Sequence, residues 1–343
     1  MKAIFPPLFL ALWLSSGRSV PAAEPANPNA SPKARAILNY FHALGARQER
    51  RLLSGQFTGT GDRANLELLS RIHDQTGCWP ALMGVDYADF SHRRLTSSAP
   101  NRSAIAYWHQ GGLVTISAHL YNPANATEYG LRDPGVDLNR LLVPGTETYR
   151  RWMGELDLAA DGLRELRDAG VVVLWRPFHE MNGGWFWWGA KDPPTFIQVW
   201  RQMFDYFTRV KRLDNLLWVY SPNHGAKTAA YYPGDQYVDL VGLDAYTDFV
   251  DTHHIRGYAE VARLGKPFGF TEFGPHGAQN PPGDYDYRRF IEGVTRDFPQ
   301  AVFFMCWDWK WSLAANTHTQ EMLRHPWLVN RAELPPGLAG AGR

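Results

Sequence analysis

Residues 171–189 read VVVLWRPFHEMNGGWFWWG. Val171 to Trp175 form an unbroken apolar run rich in β-branched residues, the composition of a strand buried on both faces. The run leads directly into Arg176, His179 and Glu180, and then into a glycine-rich turn carrying Trp185, Phe186, Trp187 and Trp188. Polar groups that close a buried strand predict that the strand ends at a site. Seven similar runs recur along the chain: Leu52 to Phe57, Ala81 to Tyr87, Leu113 to Leu120, Leu216 to Ser221, Val238 to Tyr246, Phe268 to Phe273 and Ala301 to Trp309. Helical patterning lies between most of them, at Asn65 to Gln75, Tyr149 to Asp168, Pro194 to Lys211, Ile255 to Gly265 and Tyr285 to Asp297. Eight strands alternating with helices predict an α/β chain of one (β/α)8 TIM barrel with its active site at the C-terminal ends of the strands. No Gly-x-Gly-x-x-Gly turn follows the first run, which argues against a doubly wound dinucleotide fold.

In such a barrel the strand ends converge. They bring together Asp86, His119, Arg176, His179, Glu180, Asn223, His224, Asp244, Tyr246, Glu272, Trp307 and Asp308. Two of these are carboxylates on strands four and seven, Glu180 and Glu272, the latter in GKPFGFTEFG (265–274). Carboxyl groups facing each other across a barrel mouth at about 5–5.5 Å are what hydrolysis of a glycosidic bond with retention requires. The two acids need different surroundings, because the nucleophile is ionised while the acid/base holds a proton. Glu180 lies beside the aromatic run, where exclusion of water raises its pKa. Glu272 needs donors such as Arg176 or Tyr246 to stay charged. These environments assign Glu180 as acid/base and Glu272 as nucleophile.

Composition narrows the partners. Across 343 residues, 35 Lys and Arg stand against 34 Asp and Glu, and no long single-sign run offers a field for nucleic acid. With 14 Trp, 15 Tyr and 18 Phe the chain is rich in aromatics, and indole faces stack on the C–H faces of sugars. Trp185, Trp187, Trp188 and Trp307 are the platforms expected near the acids, with Trp79, Trp108 and Trp152 left to the core. Cys78 and Cys306 are too few for a scaffold or a metal knuckle and are expected as free thiols.

Residues 1–23 carry Lys2, an apolar stretch and small residues at Ala22 and Ala23, the pattern of a signal peptide. The expected organisation is a signal peptide over 1–23, a flexible leader over 24–35, the catalytic barrel over 36–335 and a short tail over 336–343. The mature chain is then a secreted or periplasmic monomer, free of the membrane.

Several segments resemble glycoside hydrolase family 26, whose characterised members are mainly β-mannanases. They are LLSGQF from Leu52, PALMGVDY from Pro80, GGLVTISAHLYNP from Gly111, RPFHEMNGGWFWWG from Arg176, YYPGDQYVDLVGLDAY from Tyr231, TEFG from Thr271, WSLAAN from Trp311 and HPWLVNRAELP from His325. The HEMNG segment is the most specific, since this family places His, here His179, immediately before the acid/base. The resemblance implies Glu180 as acid/base and Glu272 as nucleophile. It also implies Trp185, Trp307 and Tyr246 framing the sugar at the cleavage point, and His119, His179 and Asp244 contacting the sugars or positioning the acids; Arg176 is expected with them in the substrate-binding set. Its implied activity is retaining cleavage of β-1,4-mannosidic bonds in mannan, glucomannan or galactomannan, with no cofactor and no metal. The chain departs from the family's mannanases at Ala118, where many have Trp, and at Asp308, where an Arg follows the strand-eight Trp.

Other readings compete with this one. A relative acting on mixed-linkage β-glucan or β-1,3-xylan would share both acids and differ in pocket shape. A non-catalytic polysaccharide-binding protein would not need both acids. The adjacent His253 and His254 lack metal-ligand spacing on a helix, and no Gly-x-Ser-x-Gly elbow exists for serine chemistry.

Overall fold

The protein is described from a computed structural model covering residues 23–125, 130–277 and 282–340. The predicted signal peptide lies, but for Ala23, outside the described residues. Eight parallel strands close a barrel: β1 (Gly55–Thr60), β2 (Leu82–Asp86), β3 (Leu113–Ala118), β4 (Val173–Pro177), β5 (Leu216–Tyr220), β6 (Leu240–Tyr246), β7 (Phe268–Gly274) and β8 (Ala301–Cys306). Each pairs with the next, and β8 returns to β1 through Cys306 opposite Gln56.

Burial on both faces explains why these strands read as apolar runs. β2, β3, β4, β5, β7 and β8 are buried at every residue. The first strand is the exception in composition and in place. The run predicted over Leu52 to Phe57 divides at Ser54: Leu52–Leu53 pairs with Leu328–Val329 and with β8, and the barrel strand proper begins at Gly55. The Ser54 hydroxyl bonds to Asn330 at 2.9 Å and receives the Ala81 N–H at 3.1 Å, which fixes the break. Gly55 is required there, because a Cβ would lie 2.2 Å from Met305 Sδ and 2.4 Å from the Phe304 carbonyl.

The helices are α1 (Pro32–Leu44), α2 (Glu67–Thr76), α3 (Ser98–His109), α4 (Glu147–Asp168), α5 (Pro193–Asp205), α6 (Tyr258–Ala262), α7 (Tyr287–Asp297) and α8 (Thr319–Leu323). Among the described residues β5 and β6 are joined without an α-helix, by a loop holding one 3₁₀ turn, Asp235–Tyr237. No helix of the described residues is long and apolar enough to cross a membrane.

The leader expected to be flexible over 24–35 is packed instead. Asn27 is buried and donates to the Leu213 carbonyl at 3.1 Å, and the Ala26 N–H reaches Asp239 at 2.7 Å. Helix α1 starts inside that stretch, with Ser31 accepting from the Ala34 N–H and Pro32 at its first turn. At the other end of the chain Leu338 and Ala339 are buried as well. Hydrogen bonds of the Asn27 amide and the Ala26 N–H, not a long apolar pattern, dock the first of these segments.

Much of the aromatic excess is structural. Trp152, Trp175, Trp187, Trp188, Trp200 and Trp218 are fully buried and linked by ring contacts with Phe178, Phe196, Phe204 and Phe207 around β4, β5, α4 and α5. Trp187 and Trp188, expected as sugar platforms, belong to this layer: their Nε1–H groups donate to the Leu120 and His179 carbonyls at 2.8 and 2.9 Å. Both rings therefore brace the turn after β4 from below.

Candidate active site

At the end of β4 the backbone bends sharply. Phe178 and Glu180 both adopt the left-handed conformation, at φ 51° and 57°. For a bulky or β-extended residue this region is costly and persists where surrounding structure imposes it. Here the Glu180 N–H donates to the Ser221 carbonyl at 2.7 Å, and Asn182 bonds to the backbone of Asn223 from both ends of its amide. The bend turns the Glu180 side chain into a cavity of about 480 Å³ lined by His119, His179, Trp185, Tyr246, Glu272 and Trp307, with Arg132, Phe186, Asn223, His224 and Trp311 around them. A larger cavity, near Arg63 and Trp309, adjoins it across Trp307.

The carboxylates of Glu180, Asp244 and Glu272 each place an oxygen within 4.8 Å of the other two. Three buried negative charges so close cannot all persist unaided. Arg176 lies against two of them, bonding Asp244 at 2.9 Å and Glu272. Tyr246 donates its hydroxyl hydrogen to the other Glu272 oxygen at 2.6 Å. Glu272 is thus held by a cation and a phenol, a setting that suits the ionised form.

Glu180 is placed in the opposite setting. It is buried, Asp244 and Glu272 lie nearby, and its pKa is pushed well above the ordinary carboxylate range by burial first and those two charges second. The Trp185 Nε1–H donates to it at 2.6 Å and pulls partly the other way. Tyr246 stays protonated, because burial and Glu272 both raise its pKa.

Arg176 and Asp244, expected among the substrate-binding residues, sit beneath the cavity instead. They are 1% and 0% exposed and do not line it. Asp244 accepts from Ser221 at 2.8 Å as well as from Arg176, so it holds the arginine that holds Glu272. Only burial on the finished barrel separates such a support from a contact, and no sequence pattern does. His119 and His179 meet edge-on with their Nε2 atoms 3.1 Å apart. His119 Nδ1 is 2.9 Å from Asp86, whose pKa is lowered to about 2 by His119 and by hydrogen bonds that outweigh its burial. Asp86 thereby fixes His119 as the Nδ1–H tautomer, and His179 is the donor of the pair. Burial and Arg176 push the His179 pKa well below its usual value, so it stays neutral.

Arg132 was not anticipated. It lies on the long connection between β3 and α4, where no motif marks it, and reaches the cavity only through the fold. Trp185 is 40% exposed and faces the cavity, unlike its neighbours Trp187 and Trp188. Cys78 and Cys306 are free. His253 and His254 join no cluster of three metal-ligating groups among the described residues, and His254 pairs with Asp251 at 2.9 Å.

A parallel (β/α)8 barrel carrying, at its C-terminal mouth, one carboxylate held by an arginine and a tyrosine and another kept protonated opposite it is a glycoside hydrolase. The particular family follows from comparison: residues 26–333 match the model of glycosyl hydrolase family 26, and the chain belongs to that family. It is 38% identical over 344 residues to a mannan endo-1,4-beta-mannosidase of Bacillus subtilis, covering 95% of this chain and 94% of that one. It is 37% identical over 327 residues to mannan endo-1,4-beta-mannosidase A and B of Caldalkalibacillus mannanilyticus, where 91% of this chain spans 63% of that longer protein. The structure of Bacillus subtilis mannanase man26 superimposes with a TM-score of 0.84 at 36% identity, covering 92% of this chain and 97% of the other.

Proposed function

We propose that this protein is an endo-acting β-1,4-mannanase that cleaves mannan, glucomannan or galactomannan with retention, by double displacement. One observation carries the mechanism: Glu180 and Glu272 present oxygens within 4.8 Å of each other across the cavity while standing in opposite electrostatic settings. That separation leaves no room for a water between the Glu272 carboxylate and the anomeric carbon and suits a covalent intermediate.

The Glu272 carboxylate attacks the anomeric carbon as Glu180 gives its proton to the glycosidic oxygen. The C–O bond to the leaving sugar breaks, and a glycosyl ester to Glu272 forms. Glu180, now ionised, takes a proton from an entering water whose oxygen attacks the same carbon and releases Glu272. Trp307 and Trp185 flank the reacting sugar. Tyr246 stands at its edge, and His179, whose N–H is held by His119 with Asp86 behind, walls the cavity beside it. Arg176 and Asp244 position the nucleophile from below.

The likeness to mannan endo-1,4-beta-mannosidases along nearly the whole chain supports mannan as substrate. Export through residues 1–23, action as a monomer and independence of metal and cofactor complete the reading. A product profile on galactomannan, glucomannan, lichenan and β-1,3-xylan tests it. Hydrolysis of a mannan with β-configured first products is expected, and cleavage of lichenan or xylan alone would overturn the substrate. Glu272→Ala is expected to abolish hydrolysis, and survival of activity in that variant would overturn the mechanism.

A further inference from the structure

The barrel closes between β8 and β1 on very little backbone pairing. β7 and β8 pair from Phe268 opposite Ala301 to Phe273 opposite Cys306, whereas among the described residues β1 and β8 share a single register pair, Gln56 opposite Cys306. Beyond that pair the Gln56 side chain bridges the seam. It is 0% exposed, and its Nε2 faces three carbonyls, donating to Trp307 at 2.9 Å with Cys306 at 3.2 Å and Phe57 at 2.8 Å. Its Oε1 accepts the Leu313 N–H at 2.9 Å. Carbonyls only accept and a backbone N–H only donates, so the amide fits this way round and no other. Asn is one carbon shorter, and an ionised Glu would set acceptors against acceptors.

Trp307 and Leu313 bracket the turn that follows β8. Leu313 is buried, and Trp307 stands where both cavities meet. The Trp307 N–H donates to the carbonyl of Phe273, the neighbour of Glu272, at 3.0 Å, and its own carbonyl is taken by Gln56. The ring rests on Phe57, with centroids 4.7 Å apart. Consecutive residues of β1 thus supply the backbone anchor of this tryptophan and the floor under its ring. Gln56 itself lines neither cavity.

We infer that Gln56 is a positioning residue for the reaction: without meeting substrate, its amide pins both ends of the β8 turn and so sets where the Trp307 ring stands at the cleavage point. For what Trp307 does there, the inference rests on the mannanase reading. For where the ring stands, it rests on the hydrogen bonds alone. Small displacements of a group that orients the reacting sugar are costly, because catalysis depends on a narrow range of geometries.

The test follows the ring and the reaction separately. In protein labelled with fluorotryptophan, Trp307→Phe and Trp200→Phe identify the fluorine resonances of the site ring and of a core ring. Gln56→Met keeps the length of the side chain and removes both donor and acceptor. It is expected to shift or broaden the Trp307 resonance, to leave that of Trp200 in place, and to lower kcat/KM on mannan roughly tenfold. The same change made in Trp307→Ala is expected to cost nothing more, since Gln56 acts through that ring. Gln56→Glu keeps the test sharp should the first variant fail to fold. Protonated, the introduced carboxyl donates to the Trp307 carbonyl and accepts from Leu313; ionised, it cannot donate. Its activity relative to wild type is therefore expected to fall as pH rises, and its Trp307 resonance to move over the same range. A Trp307 resonance that stays in place in both variants, or a loss of kcat/KM that is the same with and without Trp307, would overturn the inference. Should the ring move while the wild type cleaves another β-glycan and no mannan, the mannanase reading falls, the positioning role stands, and that glycan serves for the kinetic comparison.

Discussion

The Trp185 indole nitrogen donates to Oε2 of Glu180 at 2.6 Å, across a turn of five residues. The same side chain that offers a cavity-facing ring thus tunes the proton on the proposed acid/base. A donor to a carboxylate stabilises the charged form, so its loss raises the pKa further. Trp185→Phe keeps a ring and removes the donor. The alkaline limb of the kcat/KM profile is expected to move up by roughly half to one pH unit, the equivalent of one net hydrogen bond. A limb that stays in place or moves down would exclude this coupling.

Gly183 sits under that indole. A Cβ at this position would lie 2.3 Å from Trp185 Cη2, closer than real contacts allow. Gly183→Ala is expected to displace the ring and to reproduce the upward shift seen with Trp185→Phe, together with a loss of affinity for substrate. Combining the two changes tests the shared route: the double variant should show no larger pH shift than either single one.

Among the described residues Arg176 is the single cation against Asp244 and Glu272, and all three are buried. Arg176→Met leaves two buried carboxylates without their partner, a loss of about 3–5 kcal/mol by denaturant unfolding. Arg176→Lys keeps the charge but cannot fork between two acids. It is expected to retain the fold and to lose activity mainly in kcat, measured by steady-state kinetics, because Glu272 and Asp244 can no longer both be held.

Glu155 on α4 is a half-buried acid away from the site, with one carboxylate oxygen shielded from solvent. Its pKa is raised to about 7 by burial, and one of its oxygens has no hydrogen-bond partner. The folded state therefore binds a proton that the unfolded chain releases near pH 4, so this group's contribution to stability falls as pH rises from about 4 to about 7. Glu155→Gln removes that slope. The variant is expected to gain a few degrees of Tm at pH 7.5 and little or nothing at pH 4. A gain of equal size at both pH values would refute the assignment to ionisation.

How much of this was legible beforehand depended on whether a residue's role is written in local pattern. The apolar runs leading to Glu180 and Glu272 marked the strands and both candidate acids, since a strand buried on both faces carries its charges toward its C-terminal end, as Arg176, Asp244 and Glu272 do in β4, β6 and β7. Trp185, Trp187 and Trp188 were indistinguishable by type and spacing, yet one faces the cavity while two lie in the core. The left-handed bend at Phe178 and Glu180 decides which way each ring points. The packed segment at Asn27 carries no strong periodicity, because backbone and amide hydrogen bonds dock it.

By itself the sequence determined the barrel and put Glu180 and Glu272 forward as its candidate acids, because strand burial and the charge at a strand end are properties of consecutive residues. Only the tertiary structure decided which groups line the cavity and which stand beneath it. Arg176 and Glu272 are 96 positions apart and meet only when the barrel closes. Whether a carboxylate there is ionised or protonated depends on distances of a few ångströms between such remote groups, where Coulomb energy and desolvation are steepest.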